Sequence, residues 1–221
     1  MDNSTQAVVE LKSVTENIQS LVESAGAAGT QLQYTATVGS AGYGTLVVPF
    51  SADVTGDVKA YTANELNGTS ILLSEVTTIV ANSPVILENQ GTLILNSKDK
   101  SVKYEENPTN GLLTGVYSNT TAETGWYVLQ NQNGKVGFYI VAETKPTIRP
   151  FRAYLITPEA TGAKALTFSH GEADGINDVE NSPSSNVEAI YDVLGRKVST
   201  LRKGMNIVRK SDGTNLKVLI K

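Results

Sequence analysis

Short runs of alternating apolar and polar residues, punctuated by turn-forming positions and never interrupted by a helix-length pattern after residue 30, constrain this chain more than any other feature. Gln31–Val38 (QLQYTATV) sets the type: Leu32, Tyr34, Ala36 and Val38 share one face and Gln31, Gln33, Thr35 and Thr37 the other, because successive side chains of a strand point to opposite sides. Further strands are expected at Gly44–Phe50, Val58–Thr62, Ser70–Val76, Val85–Leu87, Thr92–Leu95, Val102–Tyr104, Leu112–Val116, Trp126–Gln130, Lys135–Val141, Arg152–Thr157 and Ala165–Phe168. Asn133-Gly134 is the best hairpin signal, since a type I′ turn needs positive φ at both central positions. With no crossover helices between strands, the expected fold is mainly β, an antiparallel β-sandwich or barrel.

One helix is expected ahead of the strands. Ala7, Leu11, Val14, Ile18, Leu21 and Ala25 recur at spacings of four and three, a single apolar stripe on a helix from Thr5 to Ala25, with Asn3 or Ser4 as cap and Gly26 as stop. Past the strands, HGEADGINDVENSPSSN (His170–Asn186) loses its apolar residues and reads as a linker. Four more strands follow, Val187–Val193, Lys197–Leu201, Met205–Arg209 and Leu216–Ile220, with turns at Leu194-Gly195 and Asp212-Gly213. The expected organisation is an N-terminal amphipathic helix over 1–30, an antiparallel β domain over 31–172, a linker over 173–186 and a small Ig-like β unit over 187–221. So short a unit has a thin core of its own.

Composition and charge narrow the function classes. Of 221 residues 40% are hydrophobic and 18% charged, which supports a core and is the opposite of the commonest disordered profile. No apolar stretch approaches the roughly 18 residues of a membrane-spanning helix. A net charge of −4 lacks the basic footprint of a non-specific nucleic-acid binder. The charge is uneven: from Val187 onward eight basic residues face three acidic ones, leaving −9 for the rest. This excess suits either docking on an acidic partner or an ordinary solvated face. The absence of cysteine removes disulfides, thiolate metal sites and cysteine nucleophiles. Met-Asp-Asn-Ser-Thr-Gln at the start lacks the basic and apolar regions of a secretory signal. Either the chain is cytoplasmic or a leader is absent from it, and the Thr-, Asn- and Gly-rich composition agrees better with an extracellular, cell-surface or periplasmic protein.

Chemistry-bearing residues are sparse. There is no GxSxG, Walker loop or HExxH, and GSAGYG at 39–44 lacks the strand-turn-helix context of a dinucleotide site. No enzyme activity and no cofactor is expected. His170, Glu172 and Asp174 alternate as three metal ligands on one strand face would, although glycines and polar residues around them read as a solvated linker. Asp174, Asn177, Asp178 and Glu180 match no EF-hand spacing. Adjacent Glu105 and Glu106 would point to opposite faces of a strand; a glycoside hydrolase domain, catalytic or accessory, needs two acids facing across a cleft and stands as the second alternative. Aromatics carry the best ligand chemistry: Trp126, Tyr127 and Tyr139 flank the hairpin, and Tyr43 and Tyr61 sit near strand ends. Exposed, such rings stack on sugars as in a carbohydrate-binding module with glycans as partners; buried, they are core. Arg149-Pro150-Phe151-Arg152 sets two guanidinia beside a ring, suited to a carboxylate or to rim ion pairs. Edge strands also leave room for strand addition by another protein.

The tail IYDVLGRKVSTLRKGMNIVRKSDGTNLKVLIK, Ile190 to Lys221, places Tyr191, Asp192, Gly195, Arg196 and Val198 in a YDxxGRxV pattern. Gly204, Ile207 and Val208 then follow a GxYIV pattern in which Asn206 replaces the aromatic, and Lys217–Lys221 close the chain. This tail resembles the C-terminal sorting-type β domain of secreted and surface proteins of the Bacteroidetes, the family tied to type IX secretion. VPFSADVTGDVKAYTA, ANSPVILE, GWYVLQNQNGKVGFYIV and IRPFRAYL resemble β-rich regions found just ahead of that tail in proteins of the same phylum. The resemblance implies an exported, non-catalytic surface or secreted module. Its implied partner is an envelope or secretion protein, and it carries over no catalytic residues.

Overall fold

The computed structural model describes residues 8–12, 17–98, 102–157, 162–170, 187–192, 194–198, 200–201, 203–210 and 215–220. It is mainly β, and the chain divides into two compact units, Met1–His170 and Gly171–Lys221. Among the described residues no helix is long and apolar enough to cross a membrane.

The helix is shorter and later than the periodicity predicts. It spans Ile18–Ala28; Asn17 caps it by accepting from the Ser20 N–H at 3.1 Å, and Gly29 ends it in the left-handed region at φ 62°. Ile18, Val22 and Ala25 form its buried stripe. Upstream, Val8–Glu10 is instead a strand, parallel to Gln31–Gln33, and the Leu11 N–H continues the ladder to the Gln33 carbonyl at 2.8 Å. The sheet edge offered by Gln31–Val38 explains the correction: pairing there satisfies backbone groups that a helical stripe count does not see. Gly91–Asn96 lines the other side of Gln31–Val38, and the helix, this small sheet and the segment from Leu46 to Ala60 share one core.

The larger sheet has ten strands. Their order is Thr109–Asn110, Leu113–Val116, Arg152–Leu155, Tyr127–Gln132, Lys135–Ile140, Ala165–His170, Ser70–Val76, Lys59–Asn67, Val85–Glu88 and Tyr43–Leu46. All neighbours are antiparallel except Ala165–His170, which runs parallel to Ser70–Val76. The hairpin at Asn133-Gly134 forms as expected, with φ of 54° and 80°. The sequence favours a strand at Val102–Tyr104, yet that segment lies outside any ladder; Val102 and Tyr104 are packed against the helix-side core instead. The strand expected over Gly44–Phe50 leaves its ladder after Leu46, ahead of Pro49, which has no N–H to donate.

The sheet curls back on itself. Thr45, on the last strand, accepts through Oγ1 from the Ala153 N–H at 2.9 Å and donates to the Ala153 carbonyl at 3.3 Å, and the Val47 N–H donates to the Phe151 carbonyl at 3.1 Å. The tenth strand is thereby held against the third. The strands between them enclose a second core that includes Tyr61, Ile71, Leu73, Ile86, Tyr127, Phe138, Ala153, Leu155 and Leu166, as a curled sheet of about eight strands leaves just enough interior for side chains to fill.

The second unit is a four-stranded antiparallel sheet in the order Lys197–Val198, Val187–Asp192, Gly204–Lys210, Asn215–Ile220. Ala189, Asn206 and Val208 are buried in it.

Candidate functional site

Period two carries the inner apolar face of the curled sheet outward until it ends in polar residues. Ile86 and Glu88, Phe168 and His170, and Ala63 and Tyr61 are each two apart on one strand and therefore share a face. Glu88 closes Val85–Glu88, His170 closes Ala165–His170, and Tyr43 opens Tyr43–Leu46. The three strand ends meet. The Tyr43 hydroxyl donates to Glu88 Oε1, His170 Nε2 lies 2.8 Å from Glu88 Oε2, and the Tyr61 phenol interacts electrostatically with the same carboxylate. Rings frame it: Tyr43 stacks on Phe168 at 4.7 Å between centroids, and Tyr61 meets the His170 ring edge-on at 5.1 Å. The Glu88 side chain is 19% exposed and that of His170 48%.

Burial pushes the Glu88 carboxyl up, but interactions with Tyr43, His170 and Tyr61 together outweigh it and hold the group below its ordinary range. The phenols move the other way. Burial first, then the bond to Glu88 and its negative charge, push Tyr43 up to about 12 and Tyr61 upward as well. Glu88 is thus an ionised carboxylate with both oxygens occupied and no proton to give, while its phenol partners stay protonated. The ring nitrogen of His170 that faces Glu88 is committed to that contact, so the imidazole is oriented as well as held.

The structure brings together three of the residues singled out from sequence, Tyr43, Tyr61 and His170, around one that was not, Glu88. A signal for it was present: VILE at 85–88 ends an apolar strand with an acid on the same face as Ile86. Glu172 and Asp174, the other proposed metal ligands, lie outside the described residues; among the described residues no group of three or more His, Asp or Glu is placed to hold a metal. Glu105 and Glu106 are exposed.

The five aromatics separate onto two faces. Tyr43, Tyr61 and Tyr127 point into the curled sheet, where Tyr127 is 2% exposed and donates to the Ala163 carbonyl at 2.8 Å. Trp126 and Tyr139 lie on the outer face, for Tyr139 sits opposite Val128, two residues from Trp126. The half-buried Trp126 indole lies flat on Tyr154, 3.9 Å between centroids and 3° from parallel, and the Tyr139 hydroxyl donates to the Lys135 carbonyl at 3.0 Å.

In the second unit the YDxxGRxV residues build a tight turn. Asp192 Oδ1 accepts from the Leu194 and Arg196 N–H groups at 2.9 and 3.0 Å, Oδ2 from Arg196 Nε at 2.8 Å, and Gly195 takes the left-handed conformation at φ 77°. The backbone bond from Arg196, with the other donors behind it, holds Asp192 below its ordinary value. Tyr191 pairs with Lys197 across the turn. Gly204, at φ 99°, begins the next strand, and buried Asn206 donates back to its carbonyl at 2.9 Å. Lys221 lies outside the described residues.

Compared with family models, curated proteins and solved structures, the chain matches none.

Proposed function

We propose that this chain is a non-catalytic β module of a secreted or cell-surface protein, in which the curled unit is an interaction platform and the basic C-terminal unit serves export, anchoring or docking. The observation that supports it is the occupancy of Glu88. The best acid–base grouping among the described residues, a carboxylate beside an imidazole and two phenols, has both carboxylate oxygens engaged by side chains of two other strands, which makes it a tie between strands. A general acid would need a retained proton and a general base a free lone pair directed at substrate. The test is turnover on a panel of polysaccharides and chromogenic glycosides and esters, wild type beside Glu88→Gln. No product release by either protein is the expected result. Product formation that disappears in a folded Glu88→Gln variant overturns the reading.

A carbohydrate-binding role is the second reading, favoured by the outer face: Tyr154 holds the Trp126 indole flat, and Tyr139 shares that face. An indole fixed in this way stacks on a sugar ring with little ordering cost. It predicts retention on a glycan array that is lost in Trp126→Ala. Silence of the wild type across the array removes it.

A further inference from the structure

The seam where the curled sheet meets itself holds a cleft of about 370 Å³, lined among others by Tyr43, Gly44, Val128, Leu129, Arg149 and Arg152. Two strands border it. Tyr43–Leu46 ends the ten-stranded order, but its outward side is held against the third strand, with the Thr45 carbonyl accepting from Arg152 Nη1 and the Val47 N–H donating to the Phe151 carbonyl. Tyr127–Gln132 pairs with Arg152–Leu155 at Tyr127 alone, so beyond that point its ladder partner is only Lys135–Ile140. An open strand edge of this kind recognises extended backbone.

The same cleft is positively charged, and the charge is delivered by a strained turn. Pro150 followed by Phe151 at φ 62° is the arrangement of a type II turn, whose third position ordinarily goes to glycine or asparagine. A bulky residue there costs about 1–3 kcal/mol and persists only where its surroundings fix it. They do so here: the Phe151 ring is fully buried, 4.4 Å from Tyr34 and 5.7 Å from Tyr117, and its N–H donates to the Val116 carbonyl at 2.8 Å. The consequence is that Arg149 and Arg152 occupy the first and fourth turn positions, their Cα atoms within about 7 Å. Arg152 is steadied by donating from Nη1 to the Thr45 carbonyl at 2.9 Å. Arg149 is exposed and has no hydrogen-bond or ion-pair partner among the described residues.

We infer that the seam cleft is a binding site for an extended acidic peptide segment, its backbone laddering on the open edge of Tyr127–Gln132 and a carboxylate held by Arg149 and Arg152. The occupant follows from charge and shape together. Guanidinium forks match carboxylates, and an open edge selects a strand. The inference rests on the interaction-platform reading and names the partner class for it.

Fluorescence anisotropy with the full chain tests it. The probe is an acetylated, amidated peptide alternating Thr and Val around one central Glu; controls are its Gln counterpart, the Gln peptide with a free C-terminal carboxylate, and oligogalacturonate. The Glu probe is expected to bind saturably, its Gln counterpart about tenfold or more weaker, with the Glu complex weakening as salt rises. Arg149→Ala and Arg149→Glu each weaken the Glu probe by about tenfold or more while thermal unfolding stays at the wild-type temperature, and Arg149→Lys retains part of the affinity. Recovery of binding by the free-acid Gln peptide also supports a carboxylate site, with a chain terminus as its source. Equal binding of Glu and Gln peptides, silence of all the peptides, binding of oligogalacturonate alone, or indifference to Arg149→Glu each overturns the inference. These outcomes are independent of the turnover assay: product formation lost in Glu88→Gln overturns the platform reading, whatever the peptides do.

Discussion

Glu88 at the strand ends and Arg149 at the seam are both charged groups on the same curled sheet, and they are treated in opposite ways. Glu88 is largely buried, and its two carboxylate oxygens are engaged by Tyr43 and His170 from two other strands. Arg149 is exposed on a turn held in a strained conformation by a fully buried phenylalanine, with no partner among the described residues. A charge taken out of water must be neutralised or hydrogen-bonded by the protein, whereas one left in water at a concave surface remains available to a ligand. The carboxylate therefore belongs to the stability of the fold, and the guanidinium to recognition.

The largest expected effect breaks the comparison at the seam. Phe151→Ala removes a fully buried ring from the aromatic group with Tyr34 and Tyr117, and chemical denaturation should report a loss of about 3–5 kcal/mol. A loss below about 1 kcal/mol would mean that the turn is not held by its core. Next comes Glu88→Gln. The amide keeps one acceptor but turns a donor toward groups that also donate, so a loss of about 1–3 kcal/mol is expected by the same measurement. A variant as stable as wild type would show that the strand ends do not depend on this carboxylate.

Titration sharpens the same side. Because the Glu88 carboxyl is held below its ordinary value of 4.5, its contribution is fully present above that pH and is lost as pH falls through the folded value. Wild type should lose more stability than Glu88→Gln on acidification below 4.5, and parallel curves would deny the linkage. Tyr43 runs in the alkaline direction. Raised from 10.0 to about 12, it favours the folded state at pH below 10.0 and loses that contribution as pH rises towards 12. Tyr43→Phe should flatten this part of the alkaline unfolding curve. The smallest effect is on the other side of the comparison: Arg149→Ala should shift stability by no more than about 0.5 kcal/mol, and a larger change would place Arg149 among the structural groups.

What the sequence determined by itself is whatever depends on neighbours a few residues apart. Alternation at Gln31–Val38 and Ser70–Val76 sets strand and face, Asn133-Gly134 sets a hairpin because both positions tolerate positive φ, and Asp192 with Gly195 shapes its own turn through contacts no more than four residues long. The same limit starts the expected helix too early: a stripe counted from Thr5 does not see the sheet edge that draws Val8–Glu10 into a ladder. Only the tertiary structure decided which strands meet. Period two says which side chains share a face but not which strand lies alongside. The parallel pairing of Ala165–His170 with Ser70–Val76, and with it the contact of His170 with Glu88 across 82 residues, has no local signature. Nor does the return of Thr45 to Ala153, 108 residues on, which closes the seam and sets the open edge of Tyr127–Gln132 beside the two arginines.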